Sequence, residues 1–233
     1  MDIRVIGVGE YGDRDFQELR SMPYPGVTYE GHIASVSEIE VHESDMMAII
    51  IALDNYDVAV EIARRFYQTG VLTVILSDKK FEENGCFDAQ HLYRSYNVVT
   101  IVETLIRPIA TPCLNSFGFN DIRIAMKNAG NYTTLFAHDE NIDNLINKIK
   151  FQKSYLCLEH FKSASVSLYF NPTSRIAKDE IAKVKGLLDI MPVECNTVVG
   201  FHHDSTLEPD SVEISIIIAG IPMDGFYFKA GKS

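Results

Sequence analysis

No stretch of this 233-residue chain is apolar for long enough to cross a bilayer, which excludes a helical membrane-spanning protein. The opening MDIRVIGV runs straight into strand-like sequence, and no signal peptide is expected there. Positive charge is scarce: 21 Lys and Arg stand against 32 Asp and Glu, a net charge of −11. That balance counts against nucleic acid and against direct contact with an anionic membrane. Cysteines are few. Cys86, Cys113, Cys157 and Cys195 are scattered without the paired spacing of a zinc site, so no metal is expected and they read as reduced, cytoplasmic thiols. There is no internal repeat and no low-complexity linker. What the chain does have is 46% apolar residues, enough for a large core in one or two domains.

The first half alternates strand and helix. Residues 3–8 form a short apolar run, followed by Gly7-Val8-Gly9-Glu10-Tyr11-Gly12 and a polar helix over 13–21. A strand over 27–35 follows the breaks at Pro23, Pro25 and Gly26. MMAIIIAL at 46–53 is apolar on both faces, as central parallel strands are. Residues 57–69 read as a helix with Val58, Ile62, Ala63 and Phe66 inward, closed by Gly70, and 71–76 as the next strand. Short links between such elements imply a parallel α/β layer.

Residues 88–130 hold the centre of the chain. Ala89, Leu92, Tyr93, Tyr96, Val99, Val102, Leu105, Ile106 and Ile109 recur at three- and four-residue steps, which predicts one long helix ending near Pro108 and Pro112. A polar loop over 115–120 leads to a shorter helix over 121–129, capped by Gly130. Beyond it, strands are expected over 132–137, 164–170 (half-buried), 195–201 and 212–219, with helices over 140–151 and 175–190. This half reads as α+β.

The order of these phrases resembles the FtsZ/tubulin family of filament-forming GTPases. Arg4-Val5-Ile6-Gly7-Val8-Gly9 resembles that family's first strand and glycine loop. Ala48-Ile49-Ile50-Ile51, Val60-Glu61-Ile62-Ala63 and Gly70-Val71-Leu72-Thr73-Val74 follow its next strand, helix and strand. Leu105-Ile106-Arg107-Pro108 resembles the end of its central helix; Asn115, Phe119 and Asp121-Ile122-Arg123 resemble its catalytic loop and the helix after it. Val199-Gly200-Phe201, Asp204 and residues 212–220 match its last two strands. The likeness spans nearly the whole chain and rests on the ordered series, not on one motif. It implies a Rossmann-type parallel-sheet domain over 1–112, joined by a long central helix to a smaller α+β domain over 113–233.

The chain departs from the family where the family does chemistry. There, a GGGTGTG loop after the third strand brings backbone N–H groups onto the GTP phosphates. Here Leu53 runs on as Asp54-Asn55-Tyr56-Asp57, without glycine. Carboxylates beside a triphosphate oppose it by roughly 4 kcal/mol per charge pair at about 4 Å and an effective dielectric near 20. Bound Mg²⁺ offsets part of this. Asp54 and Asp57 read equally as residues that cap the helix start. The family's two catalytic carboxylates stand three residues apart; Gly118 holds the first matching position and Asp121 the second, which also reads as a first-turn helix residue behind an Asn120 cap. The family's acidic base-reading position falls near Leu92-Tyr93, neither of which is acidic.

Two other motifs compete. Gly7-x-Gly9-x-x-Gly12 after a strand, with Glu30 near the end of the next, outlines a dinucleotide fingerprint. His202-His203-Asp204 reads as a polar turn between strands. The expectation is therefore a cytoplasmic FtsZ/tubulin-like structural or interaction protein without GTPase activity or cofactor, linked to cell division or cytoskeletal filaments. Its partner would be a protein, such as an FtsZ-type filament, or a second copy in a small homo-oligomer. Gly7, Gly9 and Gly12 would be remnants of a nucleotide site and Asp121 a remnant of a catalytic one. The alternatives are a filament GTPase using GTP and Mg²⁺ at an inter-subunit site, and a dinucleotide-binding protein.

Overall fold

The computed structural model describes residues 2–10, 17–22, 24–82, 85–92, 98–174 and 182–222. Gly12, the first four residues of the helix expected over 13–21, Tyr93 and Tyr96, and the first turns expected over 175–190 lie outside the described residues. The chain divides into two compact units: Met1–Ala110 with Met126–Gly130, and Thr111–Ala125 with Asn131–Ser233. No helix among the described residues is long and apolar enough to cross a membrane.

The first unit is built on a parallel sheet in the order β2, β1, β3, β4, β5. β1 (Asp2–Val8) and β3 (Asp45–Ala52) pair from Ile3↔Met47 to Val8↔Ala52. β3 is buried along nearly its whole length, as its two-faced apolar run requires. β2 (Val27–Ile33) lies on the other side of β1, and β4 (Leu72–Ser77) beyond β3. α1 (Tyr56–Gln68) crosses between β3 and β4 and buries Ala59, Val60, Ile62, Ala63 and Phe66 against the sheet. Arg4 of β1 is also buried. Its guanidinium reaches Glu30 of β2 at 2.6 and 2.7 Å and Asp45 at 3.2 Å, and lies 5.3 Å from the Phe66 ring centroid.

The long helix expected from residue 88 is corrected. Ala89–Leu92 is a strand, β5, paired in parallel with Val74–Ser77, and the helix α2 is described over Val98–Ala110. The reason lies in Asp88, whose side chain is buried. Its carboxylate accepts from the Thr73 N–H (2.9 Å) and the Asn128 N–H (3.1 Å), and Lys127 Nζ lies at 3.3 Å. Its own N–H donates to the Thr73 carbonyl, and its carbonyl accepts from the Gly130 N–H. These bonds register residue 89 beside β4 and hold residues 126–130 in the first unit. Sheet pairing outweighs a four-residue stretch of helical spacing, which alone carries little free energy. Pro108 sits inside α2, two residues before its end, where the lost N–H costs only one bond of the final turn.

The second unit is a mixed sheet in the order β6, β9, β7, β8. β6 (Gly130–Asp139) and β7 (Ser163–Phe170) flank β9 (Val212–Ile221) antiparallel, while β8 (Asn196–His203) runs parallel to β7. β7 is buried on both faces, not on one as its alternation suggested: Ser163, Ser165 and Ser167 on one face are covered as well as Ala164, Val166 and Leu168 on the other. α4 (Ile142–Tyr155) lays Ile142, Leu145, Ile146 and Ile149 on this sheet, and the Asn141 side chain caps it by accepting from the Asp143 and Asn144 N–H groups. α3 (Phe119–Met126) precedes β6, and the short α5 (Lys185–Leu188) lies between β7 and β8.

Candidate functional site

Gly7 pairs with Ile51 of β3, Val8 ends β1 beside Ala52, and the turn at Gly9 follows, with φ +77°. Only glycine takes that conformation cheaply. A turn of this kind after a strand aims backbone N–H groups outward, which suits an anion. The anion it holds belongs to the chain itself. Asp54, two residues past β3, turns its carboxylate into the Gly9 turn, and Oδ2 accepts from the Glu10 N–H at 3.1 Å. The approach is so close that a Cβ on Gly9 would fall 1.9 Å from Asp54 Oδ1. Oδ1 itself is buried, without a hydrogen-bond partner among the described residues.

The rest of this end of the sheet is acidic too. Asp57 is not a cap. The N-cap of α1 is Asn55, held left-handed at φ +45° with its side chain donating to the Ala34 carbonyl, and Asp57 sits in the first turn. The Tyr56 hydroxyl places its one proton between the Leu53 carbonyl (2.7 Å) and Asp78 Oδ1 (2.8 Å). Burial, the hydrogen bond to Asp78 and then the Asp78 and Asp54 charges push that phenol up to about 12. Glu30, the acidic residue of the dinucleotide outline, is engaged by Arg4 inside the sheet.

The loop after α2 lies in the second unit. Here Asn115 does something its sequence position did not suggest. Its Nδ2 donates to the Val199 carbonyl at 2.7 Å and its Oδ1 accepts from the Phe201 N–H at 3.1 Å. The Leu114 N–H donates to the Phe201 carbonyl, and the His203 N–H to that of Pro112. Side chain and backbone together act as a short extra strand on β8. Asp121 is the third residue of α3. Its Oδ2 accepts from the Gly118 N–H at 2.9 Å, so Gly118, not Asn120, precedes the helix, and Asp121 closes its first turn. A Cβ on Gly118 would meet nothing within 4 Å. His202 is no turn residue. It belongs to β8, is fully buried, stacks on Tyr169 at 4.9 Å and meets the edge of Phe117 at 5.5 Å. All four cysteines are free thiols, and no cluster of metal ligands occurs among the described residues.

Known structures share this architecture. FtsZ of M. jannaschii, in a structure described as an empty dimer, superposes with a TM-score of 0.72 at 14% identity, over 94% of this chain and 88% of that one. CetZ1 of Haloferax volcanii, a GDP-bound monomer, gives 0.62 at 13% identity over 96% and 95%. TubZ of Bacillus thuringiensis serovar israelensis, in GDP-form protofilaments, gives 0.62 at 8% identity over 96% and 86%. The chain has an FtsZ/tubulin-like fold. No protein-family model matches the sequence, and neither does any curated protein. In this fold Gly7, Gly9 and Asp54 are gathered at one end of the first unit's sheet, while Asp121 lies in the second unit. Leu92, near the expected base-reading position, ends β5, and Tyr93 lies outside the described residues.

Proposed function

We propose that this protein is an FtsZ/tubulin-like structural or interaction protein that works in the cytoplasm without hydrolysing GTP, as part of a filament system or cell division. One observation carries the reading: the Asp54 carboxylate sits in the Gly9 turn and takes the Glu10 N–H. A triphosphate needs that turn empty and its donors free. These residues do not fit one: the turn is filled, the filling group is an anion, and no glycine loop follows β3. The same contact counts against a pyrophosphate-bearing dinucleotide, whose ribose partner Glu30 is also engaged. Asp121, as a helix-cap residue, serves this chain's own backbone.

Support for a filament context comes from the fold neighbours, among them TubZ protofilaments and a four-stranded TubZ filament. The second unit also exposes two large apolar side chains near the loop after α2, Leu114 (56%) and Ile124 (66%), which suits contact with a protein partner. The partner is an FtsZ-type filament or a second copy of this chain.

Calorimetric titration with GTP and Mg²⁺ tests the reading. The expected result is no saturable binding and no phosphate release. Micromolar binding with turnover that disappears in Asp121→Ala would establish the GTPase instead. Titration with NAD and FAD, repeated on Gly9→Val, checks the dinucleotide alternative, and no heat is expected from either.

A further inference from the structure

The outward face of α4 is built for contact. Phe151 and Tyr155, one turn apart, stack with ring centroids 6.3 Å apart and an interplanar angle of 19°, yet each is 72% exposed. Neither contributes to the core, which takes Ile142, Leu145, Ile146 and Ile149 from the opposite side of the helix. Two stacked aromatics standing in water form an apolar platform that no described residue covers.

Beside the platform, at the C-terminal end of the helix, lies a cavity of about 220 Å³. Leu158 and Ile190 give it apolar wall, and Lys150 and Lys153 stand over it. No ion pair among the described residues engages either lysine. Lys148 is different: it is tied to Asp139 at 2.7 Å and to the His138 carbonyl. The setting makes these charges stand out. The whole chain has a net charge of −11, yet residues 148–162 contain four lysines and a single acidic residue, Glu159.

We propose that this face docks a short acidic peptide segment of a partner protein. Its carboxylates would pair with Lys150 and Lys153, one apolar side chain would enter the cavity above Leu158 and Ile190, and a second would cover Phe151 and Tyr155. The concavity favours a peptide over a bilayer, since a flat surface cannot reach the apolar wall. Glu159 on the rim disfavours a phosphate backbone and offers an acceptor for a peptide N–H. A peptide of a few carboxylates also meets less repulsion from the remaining negative surface than a whole acidic particle does. The inference rests on the reading of the chain as an interaction protein. It depends on no residue of the Gly9 turn, so a failed peptide titration leaves the GTP result standing, and the reverse.

The test is fluorescence anisotropy with the full chain and a labelled peptide in which glutamates flank two leucines. Saturable binding is expected, weakened about tenfold by Lys150→Glu with Lys153→Glu and by a similar factor by Phe151→Ser with Tyr155→Ser. Added salt should weaken it as well. These side chains lie outside the core, so circular dichroism and melting should be unchanged and a loss of binding is not a loss of fold. An analogue with lysine in place of glutamate should not bind. Equal binding of that analogue, or indifference to both variant pairs, overturns the proposal. So does capture of phosphatidylserine vesicles or a single-stranded oligonucleotide through these residues while the peptide fails.

Discussion

The Gly9 turn and the loop before α3 use a carboxylate in the same way, to satisfy a backbone N–H of their own chain, but they recruit it from different distances. Asp121 reaches back three residues to Gly118. Asp54 reaches across 44 residues to Glu10, from the end of one strand to the end of its neighbour. The first is a local helix device, available to any sequence with Asp at that position. The second exists only once β1 and β3 are paired, and it sets what the turn can accept. A local cap shows in a sequence; a long-range plug does not.

Breaking the longer contact should cost most. Gly9→Ala puts a methyl group 1.9 Å from Asp54 Oδ1 at a positive φ, so the carboxylate must swing out, and the lost contact together with the backbone strain is expected to destabilise the protein by about 2 kcal/mol in urea unfolding. Combining it with Asp54→Ala should remove the clash and leave only the backbone strain, about 1 kcal/mol. If the double variant is no better than Gly9→Ala, the carboxylate does not fill the turn. The local cap should matter less: Asp121→Ala is expected to cost about 1 kcal/mol, with α3 fraying first by hydrogen exchange.

Asp54→Ala alone should change stability by no more than about 1 kcal/mol, because it loses one hydrogen bond but frees a buried, unpartnered oxygen. Its larger effect should appear in binding, with measurable pyrophosphate or GTP affinity where the parent is expected to show none. Gly118→Asp sharpens the contrast from the other side. The space is open, so melting should shift by less than about 1 kcal/mol equivalent, and a paired carboxylate in the second unit should restore no hydrolysis while Asp54 stays in place.

The smallest effect is a control outside both regions. Asp139 is held down to about 2, from an ordinary 3.8, by Lys148 first and then by the Asn141 N–H. Its folded value lies below its unfolded one, so its contribution is complete above pH 3.8 and drains away as the pH falls toward about 2. Asp139→Asn should flatten the melting temperature across that window and leave neutral pH almost unchanged.

How far the sequence could be read follows the same division. β3 and α1 were legible because eight apolar residues in a row and a clean 3.6-residue stripe each have one stable solution. β5 was not, since Ala89 and Leu92 fit a helix as well as a strand, and Asp88's bonds to Thr73 and Asn128 decided the matter. At the candidate site, the turn glycines and the missing loop were visible, and so was the first-turn position of Asp121. That Asp54 fills the turn, that Asn115 binds β8 and that His202 lies in the core all depend on neighbours 44 to 86 positions away or on burial, which periodicity does not encode.

The Asn115 contact has one more consequence. An edge strand with free backbone groups is a template for any passing strand, and a β-rich unit with such an edge is prone to fibrous aggregation. Around Val199 to His203 the outward groups of β8 are already bonded, by an amide side chain and by the backbone of Pro112 and Leu114. The segment that resembles a catalytic loop thus covers a sheet edge that a foreign strand could otherwise pair with, and that cover is by itself a reason to keep the asparagine.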